Sequence, residues 1–174
     1  MTRDLLLSRK RLPTRTRGPT IRGRACGFLS FGTQDSWNLR AFPCGSRKLG
    51  SPARAADIYV GSYHRACRKA ADALQPDRLL ILSARHGLLD LDDVIEPYDT
   101  PHGAADAVTG RVLLEQATMR DIVGLDPVVA LGGARHISLV RSVWPHIHTP
   151  LAGTHGMGEQ MARLAAIREG RDYI

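Results

Sequence analysis

The chain has 174 residues, with 24 Lys/Arg against 17 Asp/Glu and a formal charge of +7. That length suits one domain with a sizeable core and some excess. The charge is confined to one end: residues 1–40 hold nine Lys/Arg against two Asp, and residues 41–174 hold 15 of each sign. A uniformly basic nucleic-acid-binding domain is therefore excluded, and any basic patch must come from local arrangement. Three cysteines (Cys26, Cys44, Cys67) show no metal-finger spacing, and no secretory core or membrane-length apolar run occurs. A reducing, cytoplasmic location is expected.

Residues 1–38 are rich in Arg, Thr, Gly, Ser and Pro and lack apolar periodicity. The expectation is a disordered basic leader ahead of a single domain over 39–174. A nucleic-acid arm, a transit-like leader and an extension with no selected role all fit that composition, and the last is favoured.

Leu39–Pro43 reads as a first strand leading into Cys44-Gly-Ser-Arg-Lys-Leu49. Gly45 and Ser46 allow a tight turn with exposed amides, and Arg47 and Lys48 add charge, a combination that holds anions although it is no P-loop. Residues 53–74 have helical periodicity, with Gly61 a point of interruption. Leu79–Leu82 is a short unbroken apolar run, the mark of a strand buried on both faces, as in a parallel sheet covered by helices. Ser83-Ala-Arg-His-Gly87 follows it, where open α/β sheets bind ligands.

Residues 88–101 read as a long loop rich in acids (Asp90, Asp92, Asp93, Glu96, Asp99), with Pro97 and Pro101 opposing a helix. Residues 104–123 read as a second amphipathic helix. Asp126–Leu131 is a third strand followed by Gly132-Gly-Ala-Arg-His136. A short helix is expected over 137–144, a fourth strand over 146–150 and a last helix near 159–169. The fold class that results is α/β, three layers (αβα) around a small, mostly parallel sheet.

Taken in order, Cys44-Gly-Ser-Arg-Lys-Leu49, Asp57-Ile-Tyr-Val-Gly61, Ile81-Leu-Ser-Ala-Arg-His-Gly-Leu-Leu89, Val94-Ile-Glu-Pro-Tyr-Asp99 and Pro150-Leu-Ala-Gly153 resemble a family of bacterial and phage domains of unknown function. The resemblance covers about residues 41–167 and leaves the leader outside. That family is in turn similar in layout to uracil-DNA-glycosylase-like folds and to the domain beside the catalytic domain of archaeal transglycosylase-type tRNA enzymes. The likeness implies chemistry on nucleobases or their glycosidic bonds, although the water-activating motif of uracil glycosylases is missing from this sequence.

Four strand-to-helix junctions carry the same kind of residue, which suggests one anion-accepting pocket: Cys44, Arg47 and Lys48; Ser83, Arg85 and His86; Gly132, Gly133, Arg135 and His136; and Gly153, His155 and Gly156. Asp99 and Glu96, flanking Pro97-Tyr98, are the candidate catalytic carboxylates for water activation or an oxocarbenium-like centre. Structural roles stand equally beside these: Asp99 capping a turn and Glu96 pairing with Arg85. Tyr98 is a candidate base-stacking ring or a tyrosine packed under its own loop. Cys44 is a candidate nucleophile, since cationic neighbours and exposed amides at a strand end activate a thiol, with simple burial the favoured alternative. His146 and His148 face one side of a strand but close no ligand set with His136 or His155, so neither metal nor other cofactor is expected. The function expected is nucleotide or nucleobase binding with hydrolysis or exchange of an N-glycosidic bond; the alternative is a non-catalytic module that recognises modified nucleic acid or supports a partner enzyme. The sequence fixes no oligomeric state.

Overall fold

In the computed structural model, the structure describes residues 38–171. The expected leader over 1–38 lies outside that range except for Asn38. Five strands form the central sheet: β1 (Leu39–Pro43), β3 (Arg78–Ser83), β4 (Gly87–Leu89), β6 (Val128–Ala130) and β7 (Ile147–His148), in the order β4-β3-β1-β6-β7. β1, β3, β6 and β7 are parallel, and β4 is antiparallel to β3. A separate two-stranded antiparallel sheet joins β2 (Ala53–Arg54) to β5 (Val94–Ile95).

Alternation along the parallel strands sends side chains into two cores. Phe42, Ile81, Val129 and Leu131 pack with Cys67, Ala70 and Ala71 of α2 (Ser62–Ala73) and with Leu164 and Ile167 of α5 (Met157–Arg168). Leu39, Ala41, Leu80, Leu82, Val128 and Ala130 pack with Leu113 and Ala117 of α3 (Gly110–Met119) and Val140 of α4 (Ala134–Arg141). The fold is thus α/β in three layers, with α2 and α5 on one face and α3 and α4 on the other. The small residues of α2 bring that helix close to the sheet, and the Tyr63 hydroxyl donates to Gln160 of α5 at 2.7 Å.

Some boundaries differ from the sequence reading, each for a local reason. The helix expected over 53–74 is broken: β2 is followed by α1 (Ala55–Ile58), and α2 starts after Gly61, its N-cap residue. The acidic stretch is not all loop. Leu88 and Leu89 pair with Leu82 and Ile81, and Val94–Ile95 pair with Arg54–Ala53. Its acids are largely consumed by structure, Asp90 meeting Arg120 at 2.7 Å and Arg78 at 3.6 Å, and Asp92 meeting Arg54 at 3.3 Å. The helix expected from 104 begins only at Gly110, where the Thr109 hydroxyl accepts from the Val112 amide. Before it, turns are held by Ala104 N–H to Pro101 O and by Val108 N–H to Ala84 O, the latter at 2.7 Å.

His64 shows how the core fixes the start of the site. It is buried on α2 and its Nδ1 donates to the Pro43 carbonyl at 2.9 Å, immediately before Cys44. Burial lowers its pKa, and Arg68 and Arg65 act in the same direction. The unfolded chain takes up this proton near pH 6.5 while the folded chain resists it, so stability is full above about 6.5 and declines as pH falls below that value. The decline from this one group is at most about 1.4 kcal/mol per pH unit. Chemical denaturation from pH 7.5 to 4.5 should show a decline to which this group contributes, and His64→Gln should make it shallower. Equal slopes in the two proteins would exclude His64 as the source.

Candidate functional site

The order of the strands places the site. β1 is central; the chain passes to β3 on one side and later returns to β6 on the other, so the β1/β6 boundary is a topological switch point. A cavity of about 450 Å³ opens there, at the carboxyl edge. Its walls come from the segment after β1 (Cys44, Lys48), the start of α4 (Arg135, His136) and the end of the acidic stretch (Asp99, His102). α4 begins at Gly133 with no side-chain cap, so its N-terminal amides add partial positive charge beside the cavity.

The segment after β1 is held in place by backbone pairing. Leu49 N–H donates to Ile58 O at 2.8 Å, and Val60 N–H donates to Arg47 O at 3.0 Å. Lys48 is thereby set with Nζ 4.1 Å from the centroid of the Tyr98 ring, a cation–π distance. The Tyr98 hydroxyl is hydrogen-bonded both to the Tyr59 hydroxyl (2.9 Å) and to Ser83 Oγ (2.8 Å). Burial raises the pKa of both phenols, Tyr59 to about 12. Ser83 Oγ also accepts from the amides of Arg85 (3.2 Å) and His86 (3.0 Å), which turns the chain out of β3.

On the opposite wall, Cys44 Sγ lies 3.6 Å from His102 Nε2. The rings of His102 and His136 stand 4.1 Å apart, centroid to centroid, at 67°. Burial, and then the neighbouring His102, lower the pKa of His136 to about 3, so its imidazole is neutral at physiological pH; burial and Arg135 lower that of His102. Gly132 lets His136 come this close: a Cβ there would sit 3.0 Å from His136 Cβ. Arg135 reaches across to the His102 carbonyl at 3.4 Å.

The candidate residues named from sequence fall into three groups. Cys44, Lys48, Asp99, Gly133 and Arg135 line the cavity. Ser83, His86 and Tyr98 form the packed layer beside it: Ser83 is fully buried, the His86 ring meets the Tyr98 ring edge-on at 5.1 Å, and Lys48 occupies one approach to Tyr98. Gly132 lines an adjoining cavity of about 460 Å³ with Arg141, Gly153 and Thr154. Glu96, Arg47 and Arg85 are exposed and line neither cavity. Arg85 faces Asp106 at 3.8 Å, so the pairing of Glu96 with Arg85 is replaced by a different one. Among the described residues, Asp99 has no hydrogen bond or ion pair, and it caps no turn. His146 and His148 are both exposed, away from this cavity's walls.

His102 was not legible in the sequence as a site residue. It follows Pro101 at the end of a stretch read for its acids, and its closeness to Cys44, 58 positions earlier, is created by the fold. The only local sign is a histidine set between Pro101 and Gly103, which brings a polar ring to a turn.

Among the described residues, no helix is long and apolar enough to cross a membrane. No solved structure matches the chain. It is similar to the uncharacterized protein YfjM of Bacillus subtilis (strain 168), with 31% identity over 138 residues, which cover 72% of this chain and 91% of that protein. The model of the family of unknown function DUF6884 matches residues 42–166, from the end of β1 to within α5, and so includes every wall of the cavity. The chain belongs to the DUF6884 family.

Proposed function

We propose that the protein binds a nucleotide or nucleobase in the cavity at the β1/β6 boundary and hydrolyses, or exchanges, an N-glycosidic bond there. The observation that carries this reading is a carboxylate, Asp99, with no hydrogen bond or ion pair among the described residues, on the wall of a cavity that also presents Lys48 and Arg135. A volume of about 450 Å³ lies within the range of small-molecule sites and accommodates a base with its sugar. Lys48 and Arg135 supply the charge for a phosphate, with the uncapped start of α4 beside them. The adjoining cavity at Gly132 and Gly153 extends the same edge and gives room for a second phosphate or a neighbouring nucleotide.

In this mechanism Asp99 takes a proton from water as the water oxygen bonds to the anomeric carbon. The carbon–nitrogen bond breaks, its electron pair leaves with the base, and the proton follows to that base. In exchange, a second base nitrogen takes the place of water.

Incubation with nucleosides, nucleotides and modified DNA, with detection of free base and abasic sites, tests the reading. Release of base from one class of substrate is the expected result. Binding without product from any substrate would leave the non-catalytic recognition module standing, and the absence of both binding and product would end the nucleotide assignment.

A further inference from the structure

We propose that Cys44, His102 and His136 form a site for a divalent cation of zinc type, with a fourth position left to water or substrate. One ligand atom from each of these residues lies within 4.8 Å of the other two. A thiolate and two imidazoles are a donor set that zinc accepts readily, whereas magnesium and calcium prefer oxygen.

The distances favour this reading over a simple contact. Zinc–sulfur and zinc–nitrogen bonds of about 2.3 and 2.0–2.1 Å, at a tetrahedral angle, separate sulfur from nitrogen by about 3.6 Å. Cys44 Sγ and His102 Nε2 are 3.6 Å apart. A thiol–imidazole hydrogen bond would also account for that pair, but it would leave the third member unexplained. His136 Nε2 is buried and, among the described residues, has no hydrogen-bond partner. A buried polar nitrogen left without a partner is costly and uncommon, and a metal ion is one of the few things that resolves it.

The three residues come from separate places: the end of β1, the loop ahead of α3, and the first turn of α4. A cation held by all three would tie these segments together. All three line the same cavity as Asp99, and three protein ligands with one position open is the arrangement of catalytic rather than structural zinc sites. A water in that position would be acidified by the metal. The site goes beyond the glycosidic reading and does not need it. Where both hold, the metal-bound water is the nucleophile whose proton Asp99 accepts.

The test uses the full chain, stripped with a chelator and titrated with Co²⁺ and then Zn²⁺ in the absence of any nucleotide. One equivalent of Co²⁺ should bind, with a thiolate-to-cobalt charge-transfer band and the strong ligand-field absorption of four-coordination, and Zn²⁺ should displace it. Cys44→Ser should abolish the charge-transfer band. His102→Gln and His136→Gln should each weaken binding by at least about a hundredfold, since even outer-shell changes cost 10–100-fold. Cys26→Ser and His148→Gln should bind as the parent does. A second measurement needs no variant: Zn²⁺ should protect Cys44 from alkylation, read by peptide mass spectrometry. Titration without a thiolate band, unchanged binding in His136→Gln, or alkylation of Cys44 at the same rate with and without Zn²⁺ would overturn the site. Because nucleotide binding and base release are measured separately on stripped and loaded protein, loss of this site and loss of the nucleotide reading give different results.

Discussion

Asp99→Asn should lower the rate of base release by about 10²–10⁴-fold, the usual contribution of a positioned acid–base group, with the melting temperature unchanged. The fold should not notice the change, because Asp99 is exposed and has no hydrogen bond or ion pair among the described residues. Surface substitutions of this kind stay within about 0.5 kcal/mol. The loss should fall on kcat, with KM little altered, since the amide keeps the shape of the wall but accepts no proton. Glu96→Gln is the matched control. Glu96 is three residues away, also exposed, and outside both cavities, so its activity should remain at the parent level. Equal losses in the two variants, or full activity in Asp99→Asn, would remove Asp99 from the reaction.

Gly87→Ala is expected to destabilise the fold by about 3–4 kcal/mol, measured by denaturant unfolding, through two separate effects. Gly87 has φ +76°, where an L side chain costs about 1–2 kcal/mol. An added Cβ would also collide with Gln116 Oε1. Gln116 cannot move aside freely: its Oε1 accepts from the Leu88 amide and its Nε2 donates to the His86 carbonyl, both at 2.8 Å. Displacing it gives up both bonds, at about 1 kcal/mol each. The double variant Gly87→Ala/Gln116→Ala provides the internal check, because removing the glutamine makes room for the new methyl. Its loss should be smaller than the sum of the two single losses. Strict additivity would mean that Gln116 does not close over Gly87.

How far the sequence carried depended on whether a feature was local. Leu79–Leu82 announced a strand buried on both faces, and Ile81 and Leu82 do enter opposite cores. Gly61 marked a break, and α2 starts directly after it. The glycine- and cation-bearing ends of the parallel strands lie on one edge of the sheet, because such ends share an edge by construction, and the cavity opens on that edge. Which side chains turn into the cavity was a different matter. Arg47 and Lys48 are adjacent and alike in charge, yet only Lys48 lines it, since the pairing of Leu49 with Ile58 sets the rotation of that segment. Ser83 drew notice as a polar residue just past a strand and Tyr98 as a ring able to stack on a base; the fold joins their hydroxyls to each other and ties Ser83 to the turn that follows it. The grouping of Cys44, His102 and His136 depends on three loops meeting, and no spacing rule encodes that.

The two outermost strands of the sheet have a further consequence. β4 spans three residues and β7 two, so each flank offers few unpaired peptide groups to another polypeptide. Long open flanks are what allow sheets to grow from one molecule into the next. A sheet that tapers this way on both sides resists edge-to-edge growth by its geometry, with no contribution needed from net charge in residues 41–174, whose acids and bases are equal in number.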